Sequence, residues 1–190
     1  MRHGATAGNE ARRYVGCRTD EPLSELGITQ CHRAGQLDFV ERVYASPLLR
    51  ARQTAEICFP RALIVAVDGL QEFDFGDFEG RTADQMEDDV AYRAWVEGNC
   101  EGRCPGGDSL DGFVSRTWRA LSQILRGAVE REEELVVVVA HGGTIMAALD
   151  GFYDKGVGNC EGYVADVREV GRSFKFKNPK RFVRLADVTW

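Results

Sequence analysis

Leu135-Val136-Val137-Val138-Val139-Ala140 is an unbroken apolar run, five of its residues consecutive leucine and valine, and it leads directly into His141-Gly142-Gly143-Thr144. A strand without polar alternation is one covered on both faces, which points to a parallel sheet held between helices. In such sheets ligands bind beyond the carboxyl ends of the strands. The His141 loop therefore lies where chemistry would be placed. A second short strand, Val43-Tyr44-Ala45, ends the same way at Ser46-Pro47.

The remaining chain supplies the other parts of an α/β protein. Residues 8–22 are polar and turn-prone and read as a loop. Ser24 reads as the N-cap of a helix carrying Leu26, Ile28, Cys31, Ala34 and Leu37 to about Phe39. A helix continues from Leu48 to Cys58, and Ala62–Val67 is a β-branched run read as a buried strand. After the Leu70–Gly80 loop comes a largely helical excursion at about 81–108, expected to lie over the active site. Asp108 or Ser109 caps a long helix with Phe113, Val114, Trp118, Leu121, Ile124 and Leu125 on one period. Gly162–Val170 and Phe174–Phe176, around Gly171-Arg172, form a hairpin signal. The expected fold is one domain over 1–190, a three-layer α/β/α sandwich with a mostly parallel central sheet.

With a formal charge of −6, the protein offers nucleic acid or acidic membranes no overall attraction, so an anionic substrate must be captured by a local positive cluster. No stretch approaches the ~20 apolar residues of a membrane span. Together with six scattered cysteines, this predicts a cytoplasmic protein in a reducing compartment. Cys100 and Cys104 are loosely spaced with no histidine nearby, which argues against a structural metal. The absence of a Gly-Lys-Ser/Thr loop and of a Gly-x-Gly-x-x-Gly turn argues against a nucleotide cofactor.

Two His-Gly pairs, His3-Gly4 and His141-Gly142, lie far apart in sequence, each where a strand would give way to a loop or helix. Glycine there lets a phosphate approach the backbone and its N–H groups. Arg2 and Arg50 offer guanidinium forks for phosphate oxygens, and Thr6 and Asn9 further donors. Glu72, flanked by Leu70, Phe73 and Phe75, sits in a setting that would raise its pKa, as a proton donor near neutrality requires. His32, in mid-helix, reads as structural.

Read together, Arg2-His3-Gly4-Ala5-Thr6 with Asn9, Ser46–Ala55, Leu70–Gly80, Pro105-Gly106-Gly107-Asp108-Ser109 and Ala140–Ile145 resemble the histidine phosphatase superfamily, with its phosphoglycerate-mutase-like fold. They occur in the family's order over about residues 2–150. The resemblance implies that His3 is the nucleophile that becomes phosphorylated and that Arg2, Arg50 and His141 complete the phosphate pocket. Gly4, Thr6, Asn9 and Gly142 are implied as substrate-binding positions, Glu72 as the proton donor, and neither metal nor cofactor is used. The Pro-Gly-Gly-Asp-Ser segment and the modest length look most like the α-ribazole phosphatase branch of cobalamin nucleotide-loop assembly. The implied partner is a small phosphorylated metabolite.

Family members open with a hydrophobic strand leading into Arg-His-Gly, whereas here Met1 directly precedes Arg2. The first central strand is therefore expected to be missing from this chain, with a misplaced start as the explanation. An exposed sheet edge would invite pairing into a homodimer. The excursion from Thr82 to Arg103 and the segment from Phe152 to Asn159 are expected to shape the leaving-group side. A phosphoglycerate mutase, a non-catalytic phospholigand-binding protein and, last, a metal-dependent hydrolase stay open as alternatives.

Overall fold

Three short parallel strands make the centre of the computed structural model, which describes residues 1–149, 156–171 and 173–188. β1 (Arg42–Ala45) lies in the middle, β2 (Leu63–Ala66) on one side and β3 (Val137–Val139) on the other. Val43 stands level with both Ile64 and Val137. Alternation along the strands then divides the core. Val43, Ala45 and Val139 face α2 (Glu25–Ala34) and α3 (Leu49–Cys58), where they meet Cys31, Ala34, Ala51, Ala55 and Cys58. Tyr44 and Ala140 face the opposite way, against Ala120, Leu121 and Ile124 of α5 (Leu110–Glu130). The result is the expected three-layer sandwich.

The outer edge of β3 is occupied by the first residues of the chain. The Met1 amine donates to the Val138 carbonyl, Ala140 N–H to Met1 O at 2.9 Å, and His3 N–H to Ala140 O at 3.0 Å. Arg2 pairs with Ala140 as a parallel bridge. On its far side, Arg2 N–H donates to Glu161 O at 2.8 Å, and Cys160 N–H donates back to Arg2 O at 3.1 Å. Arg2 and His3 are thus held between β3 and the approach to β4 (Gly162–Val170), which pairs antiparallel with β5 (Ser173–Phe182). The hairpin expected around Gly171-Arg172 is present, with its second strand longer than predicted; Arg172 itself is outside the described residues.

Several local expectations are corrected. The Leu135–Ala140 run is a strand only over Val137–Val139, and Leu135 is 37% exposed, because pairing along its outer edge runs only from Ala140 to Val138. Ala62–Val67 is not a buried strand: β2 is a sheet edge, with Leu63 59% exposed. The Ser24-capped helix stops at Ala34, not Phe39, because Gly35 takes φ of +97°, a left-handed geometry that ends helices. Its buried stripe is Gly27, Cys31 and Ala34, whereas Leu26 and Ile28 are exposed. Small residues are required on that face because a Cβ on Gly27 would lie 2.1 Å from the Ala5 carbonyl oxygen. Residues 8–22 are not all loop, since α1 (Ala7–Glu10) forms a single turn behind a Thr6–Asn9 capping box.

The excursion contains α4 (Val90–Glu97) after a 3-10 turn at Asp84–Met86. Met86, Tyr92 and Trp95 pack with Phe73, Phe78 and Phe113 in a separate cluster that Tyr14 and Phe75 join. Asp89 caps α4, accepting from Ala91 and Tyr92 N–H and pairing with Arg81. Of the segment expected to complete the leaving-group side, Phe152–Lys155 lies outside the described residues, and Gly156–Asn159 is described.

Candidate active site

His3, Arg50, His141 and Glu72 come together beyond the carboxyl ends of β1 and β3, all of them buried. The His3 and His141 rings meet edge to face, with centroids 5.0 Å apart. Nδ1 of His3 lies 2.6 Å from the Gly4 carbonyl oxygen, which can only accept, so Nδ1 carries the proton. Nε2 is left as the basic nitrogen and accepts from Arg50 Nε at 3.3 Å. Burial first, then the Arg50 and Arg2 guanidiniums, holds His3 well below the ordinary histidine range. The ring is therefore a neutral imidazole with Nε2 free to form a bond.

Arg50 is fully buried on the first turn of α3. Its other two nitrogens donate to Thr19 O at 2.6 Å and Gly16 O at 3.0 Å. Those carbonyls are in turn placed by Glu79, whose Oε1 accepts from Gly16 N–H at 2.8 Å and Thr19 N–H at 3.0 Å. Neither Gly16 nor Glu79 stood out in the sequence as part of the site. A Cβ on Gly16 would fall 2.2 Å from Phe73 O, so glycine is needed for this loop to lie against the Glu72 loop.

His141 caps the short helix α6 (Gly142–Ala148). Ser46 Oγ lies 2.7 Å from its Nε2; with the hydroxyl donating, the His141 proton sits on Nδ1. That Nδ1 and Arg2 Nε are both buried without a hydrogen-bond partner. Arg2 is fixed by another nitrogen, which donates to Val157 O at 2.7 Å. An unpaired buried donor costs roughly 1–3 kcal/mol. An anion accepting from both would recover that cost, which is the reason to read this spot as an oxyanion site. Burial, then His3 and Arg50, also holds His141 well below the usual range.

Glu72 faces the helix that His141 begins. Its Oε2 accepts from Gly143 N–H at 3.0 Å and its Oε1 from Phe73 N–H at 3.0 Å. Burial raises its pKa, outweighing these two bonds and the pull of Arg50 and Arg2. Arg116 of α5 holds the loop from outside, donating to Gln71 O at 2.9 Å and Glu72 O at 3.3 Å while pairing with Asp108. A Cβ on Gly143 would be 2.4 Å from Glu72 Oε1, so the second glycine, not Gly142, is the one that close approach demands. Gly142 leaves ordinary room, 3.8 Å, to Arg2 Nε.

The smaller expected binding residues occupy supporting positions. Gly4 N–H donates to Thr54 Oγ1 at 3.0 Å, and a Cβ on Gly4 would lie 2.7 Å from Gly27 O. Thr6 is buried and accepts from Asn9 N–H, while Asn9 Oδ1 accepts from Thr6 N–H and from Asn159 Nδ2. Asn159 also donates to His3 O at 3.0 Å. Thr54, Ser46 and Asn159 carried no individual signal in the sequence. Ser46 and Thr54 fell inside a motif, and Asn159 contributes through tertiary contact alone. Among the described residues no group of three or more His, Cys, Asp or Glu side chains could hold a metal ion.

Beside the buried centre an open cavity of about 430 Å³ shares Arg2, Asn9 and Asn159 with the site. A second cavity of about 450 Å³, between α5, α6 and β5, contains none of the site residues.

A family model described as the histidine phosphatase superfamily (branch 1) matches residues 1–170. A bifunctional protein of Mycobacterium tuberculosis, Rv2228c, is 36% identical over 198 residues, covering all of this chain and 53% of that protein. A metal-independent phosphoserine phosphatase of Arabidopsis thaliana is 33% identical over 159 residues, 77% of this chain and 64% of that one. The chain thus spans about half the length of the first curated relatives it matches. Among solved structures, an α-ribazole phosphatase from Shigella flexneri aligns with a TM-score of 0.74, covering 93% of this chain and 92% of that one. At 23% identity this last likeness is one of fold.

Proposed function

Because the chain belongs to the histidine phosphatase superfamily (branch 1), we propose that it hydrolyses a small phosphomonoester through a phosphohistidine on His3. The observation that carries this reading is the bond from His3 Nδ1 to the Gly4 carbonyl, which leaves a neutral, basic Nε2 beside Arg50 and His141. Nε2 attacks phosphorus in line with the departing alcohol. Arg2, Arg50 and the Nδ1–H of His141 take up charge on the transferring oxygens, the main contribution a protein makes to phosphoryl transfer. Glu72, protonated more readily than an exposed glutamate, gives its proton to the leaving oxygen. It then takes one from the water that hydrolyses the phosphoenzyme, and the cycle closes.

In this scheme Gly4 and Thr6 position His3 through packing and capping, and Asn9 and Gly142 border the substrate. The machinery needs no metal, as is also true of the similar metal-independent phosphoserine phosphatase of Arabidopsis thaliana. The helical excursion completes the wall over the substrate, and six free cysteines suit a cytoplasmic setting.

The test is a screen of small phosphomonoesters, α-ribazole 5′-phosphate included, in the presence of EDTA and followed by an alkaline quench in detergent, which preserves phosphohistidine. Turnover with an acid-labile, base-stable phosphoenzyme is expected. No hydrolysis of any ester and no labelled histidine would refute the reading. Interconversion of 3- and 2-phosphoglycerate faster than hydrolysis would instead make the protein a mutase.

A further inference from the structure

We propose, building on the phosphatase reading, that the cavity beside the phosphate site is the leaving-group subsite and selects esters whose alcohol carries a second anion, a carboxylate or another phosphate. The cavity shares Arg2 with the reaction centre. Arg2 and Asn9 form one wall, and Asn159, bonded to the His3 carbonyl, forms part of another. Its remaining lining includes Arg12, Arg13 and Tyr14, and among the described residues no carboxylate lines it.

Arg12 and Arg13 are the significant pair. Among the described residues neither makes an ion pair or a side-chain hydrogen bond, whereas Arg18, Arg81 and Arg116 each pair with an aspartate. In a chain with 30 acidic and 24 basic residues, two adjacent unpaired guanidiniums beside a cavity form a local reversal of sign. Their backbone is fastened. Arg12 N–H donates to Asn9 O at 3.1 Å and Arg13 N–H to Gly8 O at 2.9 Å, and Arg13 bridges Thr82 in the excursion. Arg12 takes φ of +54°, the turn that ends α1 and brings two successive arginines to the same cavity. Two forks on a fastened backbone, with no paired carboxylate among the described residues, offer bidentate contacts to an incoming anion. An uncharged alcohol would leave them to water alone.

The experiment compares matched esters that differ only in that group: 3-phosphoglycerate against glycerol 3-phosphate for a carboxylate, and fructose 1,6-bisphosphate against fructose 6-phosphate for a phosphate. The wild-type protein should favour at least one charged member by about tenfold or more in kcat/KM, the scale of one charge-assisted hydrogen bond. Arg12→Gln, Arg13→Gln and the double variant should bring that ratio towards one. Which pair shows the preference identifies the anion. Ratios near one in the wild type, or a preference that survives the double variant, would overturn the proposal. Calorimetric affinities for the same esters on His3→Ala give a second readout that needs no turnover. An inactive wild type without phosphohistidine would refute the phosphatase reading, while the calorimetry would still decide the anion subsite.

Discussion

Each proposed catalytic side chain is held by specific hydrogen bonds, one from His3 to the Gly4 carbonyl, two accepted by Glu72 and three donated by Arg50. His3 keeps its nucleophilic tautomer through the Gly4 carbonyl. His3→Ala should therefore lose turnover and the acid-labile phosphoenzyme together, measured by alkaline quench and phosphohistidine detection, and undiminished activity would exclude the mechanism. Glu72→Gln removes the transferable proton and replaces one of the two oxygens that accept from Phe73 and Gly143 N–H. Its loss of about 10²–10⁴-fold should fall on alkyl phosphates with poor leaving groups and largely spare p-nitrophenyl phosphate. The pH dependence has two limbs. His3 lies below the ordinary value of 6.5, so its basic form persists into acid and the rising limb of kcat/KM should come below that value. Glu72 lies above its ordinary 4.5 and acts protonated, so turnover of alkyl phosphates should fall as pH rises through its elevated pKa. In Glu72→Gln that falling limb should disappear.

The elements show why some of this could be read from the chain and some could not. The Leu135–Ala140 run and the Ser24 and Ser109 caps are local, and the structure has a strand and two capped helices there. Burial of the strands was misjudged because β-branched composition does not reveal which strand is an edge; β2 became one, and β3 gained only a short neighbour. The helix face of Gly27, Cys31 and Ala34 went unread because an apolar period selects Leu26 and Ile28. The true criterion was the narrow gap to the Ala5 backbone. Gly27→Ala should accordingly cost about 1–3 kcal/mol of stability by overpacking, measured by denaturant unfolding. His3, Arg50, Glu72 and His141 meet where their motifs suggested, since each follows or precedes a recognisable element. The supports from Glu79, Arg116 and Asn159 depend on tertiary approach; Glu79 lay within a motif and Asn159 within a segment expected on the leaving-group side, but no local pattern assigned either its bond.

For the molecule as a whole, burying two neutral histidines side by side links stability to acidity. Both have folded values below the unfolded 6.5, so the unfolded chain binds protons first. Their contribution is full above about 6.5 and is lost as pH falls towards their lower folded values, at up to about 1.4 kcal/mol per unit for each. Melting temperature should therefore drop more steeply between about pH 6.5 and 5 in the wild type than in His141→Asn. A flat profile would show that water reaches the rings. The same wholeness governs assembly. The carbonyls of Arg2 and His3 are bonded from Cys160 and Asn159, more than 150 positions later in the chain. Few contacts could close a longer loop, and non-local contacts of this kind form slowly. Chains ending after His141 but before Val157 would contain the proposed catalytic histidines, Arg50 and Glu72 while lacking these ties on Arg2 and His3. The proposed nucleophile thus precedes its ties in the chain by the greater part of the fold, so competence should arise only once the segment carrying Asn159 and Cys160 has docked.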